Sequence, residues 1–144
     1  MRRFAMLIKI PISVGELVDK ITILEIKQEK IVDKSKLENI NKELVLLITE
    51  FEKINELFVG DNENAEIVKF NTLKCDLKLV NKRLWDVEDD IRDCERRENF
   101  GEKFIKLARS VYHYNDERSD IKKSFNNLLG SYIVEEKSYA KYND

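Results

Sequence analysis

The positions most able to do chemistry lie between residues 81 and 122. Phe104, Ala108 and Val111 form an apolar row at helical spacing that Phe125 and Leu129 resume. Between them, the positions facing the same way are Asn115, Arg118 and Lys122. Burying an unpaired arginine costs several kcal/mol or more even after relaxation, so Arg118 is expected either against a carboxylate or at a wet opening. Glu88 and Asp116 are the candidate partners, although Asp116 is too near in sequence to face Arg118 along a straight helix. Asn81, Trp85, Glu88 and Arg92 follow one another at helical spacing, with Glu88 placed to pair with Arg92 one turn on. Arg109, Tyr112 and Asp116 form a third group, and a planar guanidinium at Arg109 suits carboxylate or phosphate oxygens.

Besides plain solvent exposure through helix rotation, two readings of this set compete. In the first, Trp85, Glu88, Arg92, Arg109, Tyr112, Asn115, Asp116, Arg118 and Lys122 form a neutral polar network that fixes helix register. In the second, Arg92 and Arg109 converge with Tyr112 and Asn115 on a basic inter-helix pocket, and Trp85 excludes water from one side. That pocket would take a small carboxylated or phosphorylated ligand, as a sensor or as a cofactor-free isomerase working by electrostatic stabilisation.

Other chemistries find little support. Gly15, Gly60, Gly101 and Gly130 stand singly, so neither a P-loop nor a dinucleotide-binding fingerprint is present. His113 is the sole histidine, without an HExxH arrangement, and nothing resembles a serine triad or a Cys-His pair. Cys75 and Cys94 are too few and too far apart for a metal motif or a disulfide scaffold, and are read as reduced thiols in helices. Glu16 and Asp19 have ExxD spacing and Glu88-Asp89-Asp90 is acidic, but among 28 acidic residues such spacings arise by chance. No cofactor or metal is expected. No complete catalytic motif is present, and whether the chain is an enzyme stays open at this level.

The 144 residues are one domain's length, and 42% hydrophobic content argues against wholesale disorder. A net charge of −2 from 26 basic and 28 acidic residues calls for neither nucleic acid nor an anionic membrane. No stretch approaches the roughly 20 apolar residues of a bilayer span, and Lys9 and Pro11 interrupt the apolar start before a signal core forms. A cytoplasmic location is the default expectation.

The elements that must position these side chains are helices. Ser13-Val14-Gly15-Glu16 reads as a capping box, with Ile12 and Leu17 as its hydrophobic staple. A helix over residues 14–32 carries Leu17, Ile21, Leu24, Gln28 and Ile31 in one row. Ser35 and Glu38 suggest a second box opening a helix over 36–58, with Leu37, Ile40, Leu44, Leu47, Phe51, Ile54 and Phe58 on its apolar face. Val59 to Asn64 reads as a loop. A third helix over 64–97 carries the row Leu77, Leu84 and Ile91, long enough to bend or to pair across a dimer. The fourth runs over 102–129 and stops at Gly130 as its C-cap. The expected fold is therefore mainly α, a single four-helix antiparallel bundle-like domain over residues 1–144. Two arrangements stay open for the tail: Tyr132 to Val134 add a strand beside FAMLIKIPI to make a short two-stranded accessory sheet, or the tail is a frayed arm with aromatic anchors. FAMLIKIPI itself is expected to be ordered, against that region or against another subunit.

Four blocks in this order, SVGELVDKITILEIK, NKRLWDVEDDIR, LARSVYHYNDERSDIK and GSYIVEEKSY, resemble a small helical family of unknown function found in bacteria and viruses. The resemblance spans nearly the whole chain and implies an accessory role beside surface-polysaccharide or glycosyltransferase proteins. The long third helix, the broad apolar faces and the lack of a complete catalytic motif make the leading expectation a protein-interaction or structural accessory module that forms a homodimer, with a protein partner. The small-anion sensor or isomerase is the alternative.

Overall fold

The computed structural model describes residues 5–58 and 65–143. Four helices follow in order: α1 (Val14–Lys30), α2 (Lys34–Phe58), α3 (Ala65–Arg96) and α4 (Glu102–Leu129). The expected loop at residues 59–64 lies outside the described residues. Ile31 to Asp33 join α1 to α2 and Arg97 to Gly101 join α3 to α4, connections short enough to turn each pair back on itself.

The caps explain the boundaries. Ser13 Oγ accepts from the Glu16 amide at 3.1 Å, as the sequence predicts, but the Glu16 carboxylate turns away to another helix. The cap of α2 is Asp33, whose carboxylate accepts from the Lys36 amide at 2.9 Å; α2 therefore begins before Ser35, which falls inside it. Gly130 takes φ 60° and ψ 42°, the left-handed geometry of a C-cap glycine, and its amide donates to the Asn126 carbonyl.

Helix α1 is the axis of the fold, touching each of the other three, while α3 and α4 lie along one another. Leu17, Val18, Ile21 and Leu24 of α1 form one core with Ile40, Leu44 and Phe51 of α2, Phe70 and Leu77 of α3, and Phe125 of α4. Phe70 joins the outer helices: it stacks on Phe51 and meets Phe125 edge-on, each at 5.4 Å between centroids. Leu77 is fully buried, whereas Leu84 and Ile91 are half-buried. On the outer seam between α1 and α3, Glu25 pairs with Lys74 and Lys78, and Glu29 with Lys78 and Lys82. Those two lysines hold the Glu29 carboxyl down to about 2.

No strand occurs among the described residues, so the expected accessory sheet is absent. The two segments do not meet: Tyr132 stands fully exposed, and no backbone hydrogen bond joins the arm to the tail. The tail is fastened instead by side chains. Ser131 Oγ accepts from the Val14 amide at 3.3 Å and donates to the Ile133 carbonyl at 2.7 Å, and farther on the Tyr142 hydroxyl donates to Asp116 at 2.8 Å. These contacts hold the tail against α1 and α4, while Pro11 lacks the amide donor a strand ladder at that position would use.

Candidate functional site

A polar network sits where α1, α3 and α4 meet. Its centre is Asp19, fully buried on α1. Arg118 of α4 approaches side-on: Nε donates to Asp19 Oδ1 at 2.9 Å and Nη2 donates to Oδ2. Asn81 of α3 donates through Nδ2 to Asp19 Oδ1 at 2.9 Å and to Thr22 Oγ1 at 3.0 Å, and the Thr22 hydroxyl donates to the Asp19 carbonyl at 2.9 Å. The orientation of the Asn81 amide is fixed by this arrangement, because an ionised carboxylate only accepts. The hydrogen bonds to Asp19 outweigh desolvation and hold the Arg118 guanidinium above its ordinary value.

Arg118 is thus answered by Asp19, and neither Glu88 nor Asp116 is its partner. Glu88 pairs with Arg92 at 2.7 Å, as the i,i+4 spacing predicts, and Asp116 is engaged by Tyr142. One turn along α4, Lys122 bridges three carboxylates: Glu16 at 2.5 Å, Glu135 at 3.2 Å and Asp19 at 3.9 Å. Desolvation pulls its ammonium downward, but the Glu16 hydrogen bond and the nearby Asp19 and Glu135 carry it above the usual lysine value. Burial likewise pushes the Glu135 carboxyl up, and its hydrogen bonds from Ser13 and Lys122 outweigh that and hold it low. Ser13 therefore caps α1 with one lone pair while its hydroxyl donates to the tail.

Beside the network opens a cleft of about 320 Å³. Trp85, Leu84 and Ile23 supply its apolar wall, and Asn81 and Arg118 join it to the network. Glu88, Asp89, Arg92 and Asn115 complete the lining. The side chains expected on the sequence thus divide. Trp85, Glu88, Arg92, Asn115 and Arg118 share this cleft, and Lys122 lies in the network behind it. Tyr112 and Asp116 line a different cleft, about 550 Å³, between α4 and the tail residues Lys137, Tyr139, Ala140 and Tyr142; Asn115 borders both. At the edge of this second cleft the Tyr112, His113 and Tyr142 rings meet tilted or edge-on, with centroids 4.8–4.9 Å apart. Arg109 is exposed and lines neither cleft, so the expected convergence of Arg92 and Arg109 does not form.

Asp19 and Thr22 escape sequence reasoning that follows the Leu17–Ile21–Leu24 row alone. Their signal is a second stripe on α1: Gly15, Asp19, Thr22 and Ile26 recur at spacings of four, three and four, and all four are buried. A helix buried on two faces must satisfy any charge it carries on either. Gly15 is required sterically as well, since a Cβ there would lie 2.4 Å from the Lys122 carbonyl oxygen. Its amide donates to Asn126 Oδ1 at 2.7 Å.

Among the described residues no cluster of acidic, histidine and cysteine side chains could hold a metal ion, and no helix is long and apolar enough to cross a membrane. Cys75 is exposed and Cys94 buried, both as free thiols. Neither a curated protein nor a solved structure matches the chain. Residues 8–143, which hold all four helices, the Asp19 network and both clefts, match a family of unknown function, and the chain belongs to that DUF6165 family.

Proposed function

We propose that the chain is a protein-interaction module that self-associates through its amino-terminal arm. The observation that carries this reading is the state of residues 5–10. Met6, Leu7, Ile8 and Ile10 expose 86%, 64%, 74% and 69% of their surface, and the segment belongs to no helix or strand. Among the described residues, no hydrogen bond engages the backbone of the arm. A run of bare amides and carbonyls flanked by large aliphatic side chains is a template for strand pairing.

A second copy of the chain is the partner that fits. In the antiparallel registers that pair residues 5–10 or 6–10 in full about a two-fold axis, Lys9 falls opposite Met6 or Leu7 and not opposite its own mate. Pro11 lacks a donor and ends the ladder at Ile10. Burying one such side chain stabilises by about 1.5–3 kcal/mol, so Met6, Ile8 and Ile10, which share one strand face on each arm, can offset the roughly 4–15 kcal/mol that association costs when that face is covered. In a surface-polysaccharide assembly such a dimer would act as an adaptor.

The small-anion pocket has weaker support. Arg92 and Arg118 are already paired, Arg109 stands apart, and Asp89 and Glu88 add negative charge at the cleft. Sedimentation equilibrium tests the proposal. The chain is expected at twice its 17.1 kDa mass, and Ile8→Glu is expected to weaken the dimer by about tenfold or more. A single 17.1 kDa species up to about 100 μM overturns self-association. An Ile8→Glu variant as dimeric as the parent overturns the part played by the arm.

A further inference from the structure

We infer that the cleft beside Trp85 binds a small zwitterion of the amino-acid class, with its carboxylate on Arg118 and Asn115 and its ammonium on Asn81 and Asp89. The argument starts from what the network leaves unused. A guanidinium has five N–H donors, and the side-on contact with Asp19 commits Nε and one hydrogen of Nη2. Three donors remain on a side chain that is 29% exposed and lines the cleft. Because Asp19 locks the guanidinium plane, those donors are preorganised.

Asn81 gives the second observation. Only 5% of it is exposed, both of its hydrogen bonds leave through Nδ2, and Oδ1 has no protein partner. No fully buried side-chain oxygen or nitrogen among the described residues lacks a partner, so Oδ1 keeps an accessible surface on the residue that lines the cleft. An acceptor at the back of a cleft, otherwise satisfied and held in orientation, suits an N–H donor of a ligand. The Asp89 carboxylate, the Trp85 indole and the Asn115 amide line the same cleft, also without protein partners among the described residues.

Charge selects the ligand class. Asp19, Glu88 and Asp89 set three carboxylates against the guanidiniums of Arg92 and Arg118. A simple anion enters a field with negative excess, and a simple cation leaves the free Arg118 donors unanswered. A zwitterion meets both ends without adding net charge. About 320 Å³ lies at the small end of ligand sites and suits a molecule of amino-acid size.

The test is an NMR titration of the full chain with glycine, β-alanine and γ-aminobutyrate, against butyrate and butylamine as one-ended controls. Trp85 is the single tryptophan, so its indole N–H is read without ambiguity. At least one zwitterion is expected to give saturable shifts at the indole and at the Asn81 and Asn115 amides, about tenfold tighter than either control. Asp89→Asn and Asn115→Ala, both outside the core, are each expected to weaken that binding by about fivefold or more. No saturable shift from any zwitterion at about 50 mM overturns the inference, as does butyrate or butylamine binding equally well. Unchanged affinity in both variants overturns it too.

Discussion

Replacing Gly15 with alanine sets two physical effects against each other with opposite signs. Alanine in a helix is favoured over glycine by up to about 1 kcal/mol, so helix propensity alone forecasts a more stable protein. The packing forecasts the reverse. A Cβ at residue 15 would stand 2.4 Å from the Lys122 carbonyl oxygen and 3.0 Å from its carbonyl carbon and Cα. These are backbone atoms of α4, so no side-chain rotation relieves the contact. Ordinary contact begins near 3.4 Å, and α1 and α4 must separate by close to 1 Å at that point. Overpacking of this kind costs about 1–3 kcal/mol, and the separation also strains the 2.7 Å bond from the Gly15 amide to Asn126. Because backbone atoms cannot yield, the upper part of that range applies, about 2–3 kcal/mol. Subtracting a propensity gain of about 1 kcal/mol, Gly15→Ala is expected to destabilise by about 1–2 kcal/mol and to lower Tm by roughly 3–8 °C for a chain of this size. Urea denaturation followed by circular dichroism at 222 nm measures it, with an unchanged m-value indicating the same folded state. A variant as stable as the parent, or more so, would refute the close approach of α1 to α4.

Arg118→Met leaves Asp19 buried with one Asn81 bond and a lysine at 3.9 Å, and is expected to cost about 2–4 kcal/mol in urea unfolding; adding Asp19→Asn should recover at least about 1 kcal/mol, and no recovery would refute the pairing. Glu135 is held below its unfolded value of roughly 4.3, so its contribution is present above that pH and is lost as pH falls through the depressed folded value. Glu135→Gln should therefore narrow the stability gap from the parent as pH falls from about 6 to about 3, and a gap that stays constant would contradict the bridge to Lys122 and Ser13.

What was legible in the sequence follows from the range of the forces concerned. The four helices were legible because caps and apolar periodicity act within a few residues, as Ser13, Gly130 and the Leu37-to-Phe51 row show. So was the need to satisfy Arg118, because its position between Val111 and Phe125 is a local fact. The identity of its partner was not. Asp19 lies 99 residues away and looked like one carboxylate among 28; only the packing of α1 as the central helix brings it to α4. The termini failed for the same reason. FAMLIKIPI has strand-like composition, but strand pairing is a long-range event, and the tail forms side-chain bonds with α1 and α4 instead. Arg109 and Tyr112 sit near Arg118 in sequence, yet helix rotation and the tail divert them from its cleft.

A buried aspartate is an expensive way to hold helices together, and its geometry shows what it accomplishes. Apolar side chains on α1 would tolerate a slip or rotation, since one aliphatic surface resembles the next. Asp19 does not tolerate it. A shift of one residue turns its carboxylate by about 100°, away from Arg118 and Asn81 together, and strands a charge on each side of the interface. Gly15, on the same stripe, rejects that slip sterically, because only a residue without a Cβ fits against the Lys122 backbone. One face of α1 thus carries two independent register marks against α4, and Asn81 adds one against α3. The same contacts leave Arg118 locked side-on with its remaining donors at the cleft, and leave Asn81 with one accessible acceptor. Fixing the helices and presenting a rigid polar surface are two consequences of a single set of hydrogen bonds. A ligand in that cleft would therefore meet donors and acceptors whose orientation was already set by folding.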